Sequence, residues 1–262
     1  MQESESSGTV RVLFCDDQIV VVDKPPGMLT HSNSFDYRSP TVIGVLADQL
    51  GPVSSVHRLD RMTTGAMVLA RTPEASSELS RQFRDRAVTK RYLALVRGHM
   101  SDGGSIASPI ERPSGGEPMG ALTEYRAIGR GRVAEPIGRY DEGWFTLAEI
   151  TLHTGRRHQA RRHLHRIDHP VIGDNKHGDK AYNRWASDRI GERHLFLRAT
   201  ELGFHHPADG AHVIVRLGIP ELWRPLLEAL GIRYPSRFVE ESIRSFASSD
   251  QSNSCGGTRG DS

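Results

Sequence analysis

His57-Arg58-Leu59-Asp60-Arg61-Met62-Thr63-Thr64-Gly65-Ala66-Met67-Val68-Leu69-Ala70 decides how the rest of this chain is read. A lone carboxylate stands between two arginines, in a loop that ends in two threonines and a glycine. An apolar run, Gly65–Ala70, follows at once, and its length and β-branched content suit a buried strand. With Val53–Val56 as a strand on the other side, the loop spans two sheet elements. Neighbouring cations favour the ionised form of Asp60, and an ionised carboxylate can act as nucleophile or general base. The bland alternative is an aspartate that caps a turn and pairs with surface arginines. A phospho-aspartate enzyme is discarded, because it needs further carboxylates to hold magnesium and Met62 occupies the place of the nearest one.

Outward from this loop, Val10–Phe14 and Ile19–Val22 read as strands around a turn at Asp16-Asp17. Lys24-Pro25-Pro26-Gly27 forces an extended segment and a turn, since neither proline can donate to a ladder. Thr41–Leu50 has helical spacing, and so does Pro73–Arg86, with Thr72 placed to cap it and Pro73 at its first position. Val88–Arg97 is a strand with apolar groups on both faces, and Tyr92 shares a face with Ala94 and Val96. Without other context Tyr92 is better explained as a core tyrosine on a buried strand than by chemistry. Met100–Gly120, rich in Gly, Pro and Ser, reads as a loop or insert. Strands are expected again at Leu122–Ile128, Trp144–Leu152, Leu195–Phe204 and Val213–Leu217, with helices at about Arg156–Ile167 and Glu221–Leu230. Strands outnumber helices and connections are short, so the expected fold class is α+β with a mostly antiparallel mixed sheet flanked by helices and loops.

The 262 residues suffice for a sizeable core, expected over 9–239, with disordered tails at 1–8 and 240–262. Net charge is only +2, but without the two tails 32 basic residues face 26 acidic ones, an excess of six. The two cysteines, Cys15 and Cys255, make neither a disulfide framework nor a zinc site, which suits a reducing cytoplasm. No signal peptide and no membrane-spanning apolar run is recognisable.

The basic excess concentrates in Thr154-Gly155-Arg156-Arg157-His158-Gln159-Ala160-Arg161-Arg162-His163-Leu164-His165-Arg166, where five arginines and three histidines meet no acid. On a helix, Arg161 leans toward the Ala160–Leu164 stripe, whereas Arg162 points to solvent or phosphate. Arg156, Arg157 and His158, near its N-terminus, would add phosphate contacts. A merely solvated basic face is the alternative, although such faces usually interleave acids. His165 and His169 have metal-ligand spacing, but Pro170 breaks the helix there and no third ligand is placed to join them, so no metal is expected.

Taken together, these motifs resemble the RluA-type pseudouridine synthases over roughly Val10 to Leu230. The resemblance rests on His57–Gly65, then Lys90-Arg91-Tyr92-x-Ala94, Thr154-Gly155-Arg156-x-His158-Gln159-x-Arg161, His169-Pro170-Val171-Ile172-Gly173-Asp174, and His206-Pro207, in family order. It implies a pseudouridine synthase fold with a central RNA-binding cleft and no cofactor. It implies that Asp60 starts the isomerisation, that Arg161 holds Asp60 ionised and oriented, and that Tyr92 stacks on the uracil and moves a proton. Arg58 and Arg61 would meet RNA, with Arg58 filling the space left by a flipped base. The segment Gly173–Asp179 and Asn183-Arg184 are similar to the branch that acts on tRNA, at the T-stem uridine conventionally numbered 65. Ribosomal RNA as substrate and a non-catalytic RNA-binding role are the alternatives. The catalytic pattern begins near Val10, leaving no room for an N-terminal S4 domain, and no protein partner is evident. Thr64 stands for the commoner Ser, Ala160 for Leu or Ile, and Arg198 for His.

Overall fold

A computed structural model describes residues 9–32, 39–112 and 114–245. Its strands are β1 (Arg11–Cys15), β2 (Ile19–Lys24), β3 (Ser54–Ser55), β4 (Thr64–Ala70), β5 (Thr89–Arg97), β6 (Gly103–Ala107), β7 (Leu122–Val133), β8 (Gly143–Leu152), β9 (Leu197–His205), β10 (His212–Arg216) and β11 (Ser242–Ser245). The helices are α1 (Val42–Leu50), α2 (Pro73–Arg84), α3 (Gln159–Arg166), α4 (Lys180–Ile190) and α5 (Arg224–Ala229). Two compact units share the chain: 1–88 with 203–215 and 243–262, and 89–202 with 216–242. The class is α+β, and every pairing between named strands for which a register is given runs antiparallel.

In the first unit β2 lies between β1 and β4, and β3 pairs with the last two residues of β4. Ile19–Val22 and all seven residues of β4 are buried, as their continuous apolar runs require. The turn before β2 is set by Asp16, whose Oδ1 accepts from the amides of Gln18 and Ile19 at 2.8 Å each. Thr72 caps α2 by accepting from the Ala75 amide at 3.1 Å, with Pro73 in the first turn. Gln82 of α2 bonds both backbone groups of His205, each at 2.8 Å, so an amide side chain stands in for a strand neighbour.

In the second unit β5 pairs with β8, β8 with β7 and β7 with β6. Leu93, Leu95, Phe145, Leu147, Phe196, Trp223 and Leu227 form the centre of its core. Leu93, Ala94, Leu95 and Val96 are all buried, so β5 is covered on both faces, and Tyr92 is half-buried at its start.

Three readings of the sequence need correction. The Met100–Gly120 segment is not all loop: β6 pairs with β7 from Gly103↔Arg126 to Ala107↔Leu122. Its glycines carry no apolar signal, because backbone hydrogen bonds hold this edge strand. Helix α4 was not expected; Asp179 caps it by accepting from Ala181 and Tyr182, and it buries Tyr182, Trp185 and Ala186. Order also continues past residue 239, where β11 pairs with β10. An edge offers unpaired amides and carbonyls, so pairing there needs little apolar content. The tails at 1–8 and 246–262 lie outside the described residues.

Candidate active site

Asp60 sits in a loop fastened from three directions within the first unit. His57 enters it stacked on Phe83 of α2, with ring centroids 4.4 Å apart, and its Nε2 accepts from the Val68 amide of β4 at 3.1 Å. Leu59 is buried, and its carbonyl faces Thr30 Oγ1 at 3.5 Å. The Thr63 amide donates to the Asp60 carbonyl at 3.0 Å, closing the turn that leads into β4. Arg61 Nε donates to the Gly27 carbonyl at 2.9 Å, so this arginine anchors the loop as well as lying exposed. Asp60 is half-buried and Arg58 exposed.

The Lys24–Gly27 run, read from sequence only as a turn, supplies a group of its own. Lys24 is fully buried, and its Nζ donates to the carbonyls of Pro25 at 2.8 Å and Arg61 at 3.0 Å. Burial pushes its pKa down to about 7, against the opposing attraction of Asp60 and Asp23 and with a further reduction from Arg61. Thr63 and Thr64 are buried beside it, and neither hydroxyl has a hydrogen-bond partner among the described residues. Buried orphan hydroxyls are uncommon in a settled core.

In the second unit the basic segment is not one continuous helix. Gln159 folds back instead: its Oε1 accepts from the Arg156 amide and Thr154 Oγ1, and its Nε2 donates to the Leu122 carbonyl and Thr123 Oγ1. Residues 154–158 therefore form a turn. His158 closes it in the left-handed region (φ 54°), and its ring lies 3.2 Å from His177 Nε2. Arg157 is exposed, and Arg156 Nε points to the Gly120 carbonyl at 3.3 Å.

Arg161 does face inward, as its phase on α3 predicts, and is 8 % exposed. Its Nε and Nη2 donate to the two carboxylate oxygens of Asp174, each at 2.7 Å. Asp174 is itself buried and also accepts from the amides of Lys176 and His177. Burial alone would raise its pKa; the bonds from Arg161 and the two amides outweigh that and lower it. The Gly173 that precedes it takes φ 81°, and a Cβ there would stand 1.6 Å from the His194 carbonyl oxygen, so only glycine fits. Asp174 was missed as a site residue because nothing in its spacing from Arg161 announces a pair.

Arg162 is the clearest departure. Its phase on the helix predicts a side chain that meets phosphate or water. Instead its Nη1 donates to the Glu111 carbonyl at 3.1 Å, and its Nη2 lies 3.7 Å from the Glu111 carboxylate. His163 and Arg166 hold the same stretch through the carbonyls of Ser108 and Pro109. The helix thus binds its own neighbouring segment, and carbonyl partners leave no trace in a sequence. Arg198 is buried, with its Nε on the Gly218 carbonyl at 3.0 Å. Among the described residues no three His, Cys, Asp or Glu side chains gather as a metal site would need, and no helix is long and apolar enough to cross a membrane.

Residues 18–166, which hold the Asp60 loop, Tyr92 and the Arg161 helix, match the model of the RNA pseudouridylate synthase family. The chain belongs to this family. It is 36 % identical over 236 residues to tRNA pseudouridine synthase C of Salmonella typhi, spanning 86 % of this chain and 91 % of that one. To the protein of the same name from Haemophilus influenzae it is 32 % identical over 234 residues, 85 % of this chain and 98 % of the other. Among solved structures, human RNA pseudouridylate synthase domain containing 1 matches with a TM-score of 0.67 over 95 % of this chain and 94 % of its own. At 24 % identity that likeness speaks for the fold alone. This pseudouridine synthase is therefore an isomerase by family, with the pseudouridine synthase fold.

Proposed function

We propose that the enzyme converts a uridine of tRNA to pseudouridine, with Asp60 as its essential carboxylate. The observation that carries this reading is the fixed Asp60 loop, placed inside the family match and accompanied along nearly the whole chain by relatives named for tRNA. The T-stem uridine conventionally numbered 65 is the proposed target. The reaction breaks the N-glycosidic bond, turns the uracil and rejoins it through carbon five. It is neither redox chemistry nor phosphoryl transfer, so it calls for no cofactor.

Asp60 would initiate the reaction. Arg161, with one edge of its guanidinium set by Asp174, would orient and balance that carboxylate. Tyr92, half-buried at the start of β5, would stack on the uracil and move a proton. A base in a stem must leave the stack, at a cost of a few kcal/mol. Arg58, exposed two residues before Asp60, suits the vacated space, and Arg61, Arg156, Arg157 and His158 are the candidates for phosphate contact.

The test is Asp60→Asn, which keeps side-chain size and removes the charge. It should abolish pseudouridine formation in single turnover on a tRNA transcript, while thermal melting and tRNA affinity stay near wild type. Turnover close to wild type removes Asp60 from the role. Pseudouridine maps of tRNA and ribosomal RNA, with and without the gene, identify the substrate; loss confined to ribosomal RNA would refute tRNA.

A further inference from the structure

We propose that Lys176, Lys180 and Arg184 form a second docking site for the phosphate backbone of the tRNA, on the turn at 174–178 and the exposed face of α4. This rests on the reading of tRNA as the substrate. Charge sets the site apart. Between Thr154 and Ser187 the chain carries eight lysines and arginines and only three acids, Asp168, Asp174 and Asp179. Each acid is already bonded to an arginine: Asp168 and Asp179 to Arg97, and Asp174 to Arg161. Lys176, Lys180 and Arg184 are exposed and make no ion pair among the described residues. A face that had only to stay solvated would interleave acids with these cations. Here the acids turn to other arginines instead.

The cations also stand on a fixed frame. Asp174 Oδ1 accepts from the amides of Lys176 and His177 at 2.9 and 3.0 Å, which folds the turn back on itself. Asn183 of α4 donates to the Asp174 carbonyl at 2.9 Å and accepts from the Gly173 amide at 2.6 Å, so the helix is fastened to the turn. Gly178 closes the join, since a Cβ there would stand 2.1 Å from the Asp174 carbonyl oxygen. Lys180 and Arg184 are one helical turn apart, opposite Tyr182, Trp185 and Ala186, which α4 buries. On its other side the turn reaches a candidate already named: His177 Nε2 lies 3.2 Å from His158 Nδ1, next to the exposed Arg157. A backbone strand that crosses Arg157 and His158 can therefore continue over Lys176 to Lys180 and Arg184. Cations on a pre-ordered backbone lose less entropy when they bind.

Two measurements test the site. The chain has only four lysines, and Lys24 is buried, so acetylation by an N-hydroxysuccinimide ester followed by mass spectrometry reads Lys176 and Lys180 one by one. A tRNA transcript at about ten times its Kd leaves roughly one enzyme in eleven free, so labelling of both should slow by about 10-fold. Unchanged labelling of both at that occupancy overturns the proposal. The second measurement is the salt dependence of tRNA binding. In a combined Lys176→Ala, Lys180→Ala and Arg184→Ala variant that melts near wild type, the slope of log Kd against log salt should fall by about two to three. Lys176→Arg, Lys180→Arg and Arg184→Lys together keep the charges and should keep the wild-type slope. An alanine variant whose slope stays within about half a unit of wild type overturns the proposal. Wild-type enzyme that neither binds nor isomerises the transcript would instead refute the tRNA reading beneath it, a result distinct from either.

Discussion

Removing the carboxylate of Asp174 separates the two duties that the Arg161–Asp174 pair is asked to perform. Asp174→Ala deletes the acceptors of four hydrogen bonds, two from Arg161 and one each from the amides of Lys176 and His177. It also leaves a guanidinium that is 8 % exposed without this partner. Breaking a buried pair from one side typically costs about 3–5 kcal/mol. For a chain of this size that is a fall in Tm of roughly 6–20 °C. If Arg161 serves the reaction, misplacing it by about 1 Å can also slow single turnover by on the order of 100-fold, measured well below the variant's Tm with saturating tRNA. A double-mutant cycle with Arg161→Ala should return a coupling energy of about 2–3 kcal/mol in stability. Asp174→Ala melting within 2 °C of wild type, an estimate well outside the range above, would refute the pair as a desolvated contact. A destabilised variant with an unchanged rate would leave the pair as scaffold only and take Arg161 out of the chemistry.

Two further expectations follow from contacts outside that pair. His206 Nε2 lies 2.8 Å from Asp16 Oδ2; the bond raises the histidine pKa above 6.5 and, with the amides of Ile19 and Gln18, overcomes burial to lower that of Asp16 below 3.8. Stability from His206 is complete below pH 6.5 and lost as pH rises through its folded pKa; stability from Asp16 is complete above pH 3.8 and lost as pH falls through its folded value. The difference in unfolding free energy between wild type and His206→Gln should therefore be largest, about 1 kcal/mol, between those limits and shrink toward pH 8.5. A difference flat from pH 5 to about 8.5 would refute the assignment. Arg157 is exposed, whereas Arg162 is committed to Glu111, so Arg157→Ala should lower the salt slope of tRNA binding by about one counterion. Arg162→Ala should do so less, because its first effect is to free the segment around Glu111; equal slopes would mean that the bond to Glu111 gives way to phosphate.

Local facts are legible in the sequence alone. The apolar runs of β2 and β4, the Thr72-Pro73 start of α2 and the two-faced apolar content of β5 each follow from side chains a few residues apart, and all stand in the structure. The family was legible for the same reason, since its motifs are short and ordered along the chain. Tertiary structure decided what depends on partners distant in sequence. No local pattern says that Lys24 is buried against the Arg61 carbonyl, 37 residues on, or that Arg161 is gripped by Asp174. Gln159 cut short the expected helix by reaching Thr123, and Arg162 found the Glu111 backbone instead of solvent. Arginine is the same letter whether its guanidinium meets phosphate, a carboxylate or a carbonyl. Which of these it meets is set by packing, and packing joins residues that the sequence keeps far apart.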